Sequence, residues 1–275
     1  MKRRTSMRAL AALLGAWLAM CVAVRGAQND QTEVPGRSEN LQPRTEQPSR
    51  LPDEERADIL MARKSYADAI HYYSLVIKST PVTPQNKVKV AGVWNKMGIC
   101  YQQMMGFEEA RRDYKQATRL NRDFAQAWNN LGTTYYANKK PKKSIKFYRH
   151  AIKLEPQVGS FHWNLGAAYF ARKKYKKAVQ EYRVAIQLDP DILTRSSRSG
   201  TTLETRHVGP KFYFYMAKVF ASIGNAGEAV RYLRRAMEEG FNSRSRILED
   251  PDIMKISKDP AFINLMNNPP VAIKD

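Results

Sequence analysis

Hydrophobic and polar residues in this chain do not alternate as they would along a half-buried β-strand; one arrangement of small, aromatic and polar positions instead returns every 34 residues. Three glycines mark it, and a tyrosine follows each of them three residues later: Gly98 and Tyr101, Gly132 and Tyr135, Gly166 and Tyr169. Self-similarity at a period of this length indicates a solenoid, in which each unit buries its apolar face by stacking on its neighbours. We therefore predict a chain of stacked units.

Each regular unit contains two segments rich in helix-forming residues. The first segments are WNKMGICY (94–101), WNNLGTTY (128–135) and HWNLGAAY (162–169); the second are FEEARRDYKQA (107–117), PKKSIKFYRHA (141–151) and YKKAVQEYRVA (175–185). These segments resemble the tetratricopeptide repeat. The resemblance implies an all-α fold, a right-handed superhelical solenoid of antiparallel helix pairs. It also implies that each glycine meets a small residue of the second helix and that a proline ends the unit: Ala110, Ser144 and Ala178, then Pro156 and Pro190.

The repeat pattern predicts about five units within residues 53–240. Their ranges are 53–86, 91–124, 125–158, 159–192 and 210–241. The first unit is degraded, and a loop at 191–210, rich in Ser, Thr, Arg and Gly, separates the fourth from the fifth. The tail, 241–275, has apolar residues and two helix-start signals, Asp250-Pro251 and Asp259-Pro260. We predict that it forms capping helices over the end of the last unit, as solenoids require.

The first 27 residues are typical of an export signal, because the basic stretch from Lys2 to Arg8 precedes an uncharged run from Ala9 to Val24. The run is shorter than the roughly 20 residues that span a bilayer comfortably. A cleaved signal and an uncleaved anchor both remain open, and Cys21 adds lipidation, because its surroundings partly resemble a bacterial lipoprotein cleavage box. Residues 28–52 are polar and predict a disordered linker. We expect a periplasmic or cell-envelope protein, with secretion or N-terminal anchoring as alternatives.

The sequence contains no pattern that indicates catalysis or a cofactor. The four histidines have no metal-ligand spacing, and neither a glycine-rich phosphate loop nor a nucleophile elbow occurs. Cleavage of the signal would leave Cys100 alone, so no intramolecular disulfide is expected. Its place between Ile99 and Tyr101 predicts a small buried residue. We therefore expect a non-enzymatic protein without a metal or cofactor.

The resemblance implies that the first helices line a concave groove that binds a protein or an extended peptide. The residues at the groove positions are Asn95, Gln102, Asn129, Asn130, Thr133, Tyr136, Trp163, Asn164, Phe170, Phe214 and Lys218. Amide side chains can bond a peptide backbone whatever its sequence, and aromatic side chains are common interface anchors. We expect Trp163 to point its indole into the groove. The alternative is that several of these aromatics pack between neighbouring units.

The chain is strongly basic, with 46 Lys and Arg against 26 Asp and Glu. Many of these cations form a strip near the turns and on the second helices: Lys139, Lys140, Lys142, Lys143, Lys173, Lys174, Lys176 and Lys177. Such lysines can simply be solvated. The alternative function is a basic surface that binds anionic lipid or envelope polysaccharide, whereas export argues against nucleic acid. The leading prediction is an exported adaptor that binds a partner segment in the concave groove.

Overall fold

The structure, a computed structural model, describes residues 51–193 and 209–272, and within them it is all-α, with no β-strand. These described residues form twelve α-helices and one 3₁₀ helix, in this order: α1 (Asp53–Ala62), α2 (Tyr66–Ser79), α3 (Lys87–Gln103), α4 (Phe107–Leu120), α5 (Ala125–Ala137), α6 (Pro141–Leu154), α7 (Gly159–Ala171), α8 (Tyr175–Leu188), α9 (Pro210–Ser222), α10 (Ala226–Glu238), α11 (Arg244–Leu248), the 3₁₀ helix (Ile253–Ile256) and α12 (Pro260–Asn267). The predicted export signal at 1–27, nearly all of the predicted linker at 28–52 and most of the predicted loop at 191–210 lie outside the described residues.

The helices pack as five consecutive pairs, α1 with α2 through α9 with α10. The second helix of each pair also packs on the first helix of the next, from α2 against α3 to α8 against α9. In a stack of this kind each unit contacts only its neighbours, so the apolar core extends along the whole array and is not gathered at one centre. The all-α solenoid predicted from the sequence is therefore confirmed.

The repeated glycines allow a buried tyrosine of the second helix to lie directly against the first helix. A Cβ atom added to Gly132 would lie 2.7 Å from Cε1 of Tyr148, and one added to Gly166 would lie 2.7 Å from Cδ1 of Tyr182. Gly98 has the same relation to Tyr114. The small residues of the second helices, such as Ala110, are fully buried, but the side chain nearest each glycine is the tyrosine. The 34-residue spacing thus reflects one helix crossing made three times.

Ion pairs attach the degraded first unit to the second. Lys96 of α3 lies 2.8 Å from both carboxylate oxygens of Asp58 in α1 and 3.5 Å from Oε1 of Glu54. The hydroxyl of Tyr73 in α2 donates to the same Asp58 at 2.6 Å. The three helices α1, α2 and α3 therefore share one polar cluster beside a small apolar one.

The C-terminal segment packs against the last helix pair, and it is fixed there by Lys218, a residue predicted to line the groove. Lys218 of α9 lies 2.6 Å from Oδ2 of Asp250, and both side chains are largely buried. Oδ1 of Asp250 also accepts from the backbone N–H groups of Asp252 and Ile253, which begin the 3₁₀ helix. Asp259 caps α12 in the same way. Lys218 is therefore part of the attachment of the cap, which corrects its groove assignment.

The apolar core is unevenly distributed along the solenoid. One large cluster extends from Tyr148 to Met266 and includes buried side chains of α6 to α12. Three smaller clusters lie toward the N-terminus, around α1 to α3, around α3 to α6 and around α5 to α7. Most of the large buried side chains consequently belong to the C-terminal half of the described chain.

Candidate functional site

Four asparagines of the first helices form a hydrogen-bonded chain across three consecutive units. Asn130 Nδ2 donates to Asn95 Oδ1 at 3.1 Å, Asn129 Nδ2 to Asn130 Oδ1 at 3.3 Å, and Asn164 Nδ2 to Asn129 Oδ1 at 3.0 Å. All four side chains are buried. Because buried amides need partners, this chain fixes the relative positions of α3, α5 and α7. These residues were predicted to face a ligand, but in the structure their side chains are buried and bond one another.

Thr133 extends this polar region toward the second helix of its own unit. The hydroxyl of the fully buried Tyr148 donates to Oγ1 of Thr133 at 3.3 Å, and the Thr133 hydroxyl bonds the Asn129 carbonyl oxygen at 3.3 Å. Burial raises the pKa of Tyr148 well above its ordinary value, so the phenol stays protonated. Thr133 is thus a buried hydrogen-bonding residue between two helices.

Trp163 is a core residue, and the expectation that its indole faces an open groove is wrong. Its side chain is 1% exposed, and its ring centroid lies 4.7 Å from that of Tyr182. Nε1 has no hydrogen-bond partner among the described residues. Phe214 is equally buried and stacks on Phe241 of the C-terminal segment at 4.5 Å. Trp163 therefore packs on the second helix of its own unit and Phe214 on the C-terminal segment, so neither contact lies between neighbouring units as the alternative prediction had it.

Three predicted groove residues remain half-buried, and they occupy equivalent positions in consecutive units. Gln102, Tyr136 and Phe170 are 34 residues apart, and each lies seven residues after Asn95, Asn129 or Trp163 on the same face of its helix. Gln102 accepts a hydrogen bond from Tyr114. Phe170 makes edge-to-face contacts with Tyr175 and Tyr215. Each is the twelfth residue of its unit, counted from 91, 125 or 159, so we call these three residues the position-12 row; they keep partial exposure to solvent.

Asp113 of α4 is a buried carboxylate that the sequence analysis did not single out. It is 6% exposed, and its Oδ2 has no hydrogen-bond partner in the described chain. Burial raises its pKa to about 7, partly opposed by Arg112 and reinforced by Glu109. Because this value exceeds that of an unfolded aspartate, protonation stabilises the fold; the contribution is complete below about pH 4 and is lost as the pH rises toward 7.

We expect Asp113→Asn to raise the free energy of unfolding at pH 8 by about 1–2 kcal/mol, because the amide removes a buried negative charge. The gain is no larger because relaxation and water penetration reduce the cost of a buried charge. At pH 4 the variant and the unchanged chain should be nearly equally stable. Urea denaturation across this pH range measures the difference. The exposed Asp123→Asn is the control and should change stability by less than about 0.5 kcal/mol. An unchanged pH dependence in Asp113→Asn would show that another group causes it.

Two equivalent positions carry an aromatic pair in one unit and an imidazole–carboxylate pair in the next. Trp128 of α5 and Phe147 of α6 stack at 6.0 Å, whereas the residues 34 positions later are His162 of α7 and Glu181 of α8. His162 Nδ1 lies 2.7 Å from Oε2 of Glu181, and Nε2 lies 3.0 Å from the carbonyl oxygen of Pro156. Burial lowers the pKa of His162, but these hydrogen bonds and the Glu181 charge raise it by more. The signal for this pair in the sequence is that both aromatic positions of one unit, 128 and 147, are polar in the next, at 162 and 181.

The eight lysines of the predicted basic strip are exposed, and none of them forms an ion pair with a carboxylate within residues 51–193 and 209–272. Lys139 and Lys173 occupy the turns between paired helices with positive φ values of 53° and 57°. Met105 has the same conformation in the unit before. The strip therefore presents unpaired charge at two successive turns and along the helices that follow them.

The described part of the chain contains no group of three or more His, Cys, Asp or Glu side chains that could hold a metal ion. Cys100 is buried, as its position predicted, and burial raises its pKa to about 12, which disfavours the reactive thiolate. Among residues 51–193 and 209–272, every helix is too short or too polar to cross a bilayer.

Comparison with known proteins agrees with the repeat pattern. Family models described as tetratricopeptide repeats match residues 125–158 and 159–192, and one described as a TPR repeat matches residues 107–139. No curated protein matches the chain.

Several solved structures are similar. A crystal structure of MamA protein is 18% identical, covers 76% of this chain and 93% of its own, and has a TM-score of 0.48. MamA from Desulfovibrio magneticus RS-1 is 14% identical, with 68% and 92% covered and a TM-score of 0.47. YrrB, described as a TPR protein with an unusual peptide-binding site, is 14% identical, with 76% and 91% covered and a TM-score of 0.46.

Proposed function

The chain belongs to the tetratricopeptide repeat family, and from that premise we propose that it is an exported, non-enzymatic adaptor that binds a segment of a partner protein along its first helices. Proteins of this fold serve as protein-interaction scaffolds.

The observation that carries the proposal is the position-12 row beside the asparagine chain. The side-chain amides of the asparagines hydrogen-bond one another, so they hold α3, α5 and α7 in place. Few of their donors and acceptors remain for a ligand. Tyr136 and Phe170 are half-buried aromatics on the helices that the asparagine chain fixes, and each keeps some exposure to solvent. Rigid, partly exposed aromatics contribute binding energy at low entropic cost. We therefore assign contact with the partner segment to the position-12 row, and the positioning of its helices to the asparagines.

Site-specific photo-crosslinking in the full chain tests this assignment. A photoreactive phenylalanine derivative at Tyr136 or Phe170 should cross-link one and the same partner segment in the native host. The same derivative at Tyr72, a half-buried tyrosine of α2 on another surface, is the matched control. We expect Tyr136→Ala to weaken binding of the captured segment by at least about tenfold, as loss of an interface anchor does. Identical cross-links from Tyr72, or unaltered affinity of Tyr136→Ala, would refute the assignment.

The export part of the proposal has its own measurement. The mass and N-terminal sequence of the protein purified from its native host define the mature chain. A start near Val24 or Ala27 supports a cleaved signal. A fatty-acylated Cys21 would place the protein at a membrane surface by lipidation, and an intact Met1 in the membrane fraction would support the anchor. An intact chain in the cytosol would overturn export while leaving the position-12 row untouched.

A further inference from the structure

A cleft with a basic rim lies between the second helices of two successive units, and none of the four asparagines lines it. It has a volume of about 440 Å³, and its walls are α6 and α8, with α7 between them. Three cations line it, Arg149 and Lys153 from α6 and Lys177 from α8. Ile152, Leu165 and Tyr169 form an apolar part of the lining. We call this the α6–α8 cleft.

The cations of α6 continue beyond the cleft as a stripe along one helix face. Lys142, Lys146, Arg149 and Lys153 are spaced by four, three and four residues, which keeps them on one side of the helix. They line a second groove of about 580 Å³, which shares Arg149 and Lys153 with the cleft. At 1.5 Å per residue the stripe is roughly 16 Å long. Helix α6 contains no acidic residue, and within the described chain none of the four cations pairs with a carboxylate.

The one carboxylate that lines the cleft is held by His162. Both ring nitrogens of His162 face acceptors, the Glu181 carboxylate at 2.7 Å and the Pro156 carbonyl oxygen at 3.0 Å. A neutral imidazole donates only one hydrogen bond, so the protonated form alone satisfies both partners. In that form the positive charge of His162 balances Glu181, and the cations of the α6–α8 cleft are left without internal compensation.

We propose that the α6–α8 cleft binds an acidic protein segment, with carboxylates on Arg149, Lys153 and Lys177 and an apolar side chain against Ile152, Leu165 and Tyr169. The recessed apolar lining favours a peptide of alternating acidic and aliphatic residues over a flat membrane surface, which would meet the lysine tips only. Arg149 can hold a carboxylate through two parallel hydrogen bonds. This surface is distinct from the position-12 row, and the proposal stands without it.

The pair of His162 and Glu181 makes this binding sensitive to pH. The charged or titratable groups around His162 are Arg149 and Lys153 from α6, Tyr169 of its own helix, and Lys177 and Glu181 from α8. Loss of the proton from His162 leaves the Glu181 carboxylate uncompensated beside the incoming acidic segment. Affinity should therefore fall by about three- to tenfold between pH 5 and pH 8, the size expected for one added like charge near a protein surface.

Fluorescence anisotropy with a short labelled peptide of Glu, Asp and Leu tests the proposal on the chain lacking its first 27 residues and on the full chain. Arg149→Ser with Lys153→Ser should lower the affinity at least about tenfold. Lys139→Ser with Lys140→Ser removes the same charge at a turn outside the cleft and should lower it less than about threefold. Equal losses of peptide affinity in the two double variants would overturn the site, because they would indicate attraction to the overall positive charge of the protein. Circular dichroism of each variant checks that it folds.

A double variant that replaces both His162 and Glu181 tests the role of His162. His162→Trp with Glu181→Phe recreates the Trp128–Phe147 arrangement of the preceding unit, so the packing has a precedent in this chain. This variant should bind the peptide with an affinity that no longer changes between pH 5 and pH 8. A retained pH dependence would overturn the His162 switch. Tighter binding to vesicles containing phosphatidylglycerol than to the peptide, lost in the Arg149/Lys153 variant, would overturn the peptide assignment in favour of a lipid surface.

Discussion

Trp163→Ala is expected to lower the free energy of unfolding by about 3–5 kcal/mol, the range for removing a large buried aromatic side chain. Trp163 is 1% exposed and lies against Tyr182 in the largest apolar cluster of the chain. The space it leaves cannot collapse readily, because every residue of α7 from Phe161 to Tyr169 is buried and held by its neighbours. Denaturation with urea, followed by circular dichroism, measures the loss.

Trp163→Phe is the matched control for this change. It keeps an aromatic ring and removes an indole N–H that has no hydrogen-bond partner in the described chain, so the unsatisfied group disappears together with part of the volume. We expect a loss of only about 1 kcal/mol. If Trp163→Ala were as stable as the unchanged chain but bound its partner segment poorly, Trp163 would be an interface residue after all.

Gly132→Leu should destabilise the fold by about 3 kcal/mol or more, at the upper end for overpacking a core. A Cβ atom at position 132 would already lie 2.7 Å from the ring of Tyr148, and that ring is fully buried and hydrogen-bonded to Thr133. A leucine therefore has to push α5 and α6 apart. Thermal and urea unfolding of the variant should both show the loss.

Gly92 provides the control within the same kind of helix. A Cβ atom at Gly92 of α3 would meet no heavy atom within 4 Å. Gly92→Leu should therefore be neutral or stabilise by up to about 1 kcal/mol, because leucine favours the helix more than glycine does. Similar losses from Gly92→Leu and Gly132→Leu would mean that helix propensity, and not the contact with tyrosine, decides the outcome.

The helix crossings were predictable because they repeat. Gly98, Gly132 and Gly166 recur with fixed partners, and a small residue at a fixed period has few physical explanations other than a close approach of backbones. The caps of the C-terminal segment were predictable for a different reason. Asp250 and Asp259 bond backbone groups two or three residues later, so their role depends on local sequence alone.

The groove was harder to predict because exposure depends on elements far away in the sequence. Trp163 occupies the position of Asn95 and Asn129, which is why the repeat pattern assigned it to the groove, but its indole is buried against Tyr182. Nothing in the repeat says whether that face is covered. Lys218 pairs with an aspartate of the C-terminal segment, whose path the repeat does not describe. The asparagine chain could be recognised only from atomic positions, because an amide side chain can bond a peptide or a neighbouring amide equally well.

The unequal division of the apolar core has a consequence for how the chain folds. In a solenoid, folding nucleates where the local and neighbouring interactions are strongest and then propagates from one repeat to the next. The large cluster of α6 to α12 is the natural nucleus, whereas α1 and α2 are joined to the array by a small cluster and by the ion pairs of Lys96. The N-terminal pair should be added last and fray first, so the α1–α2 end remains the most easily opened part of the array.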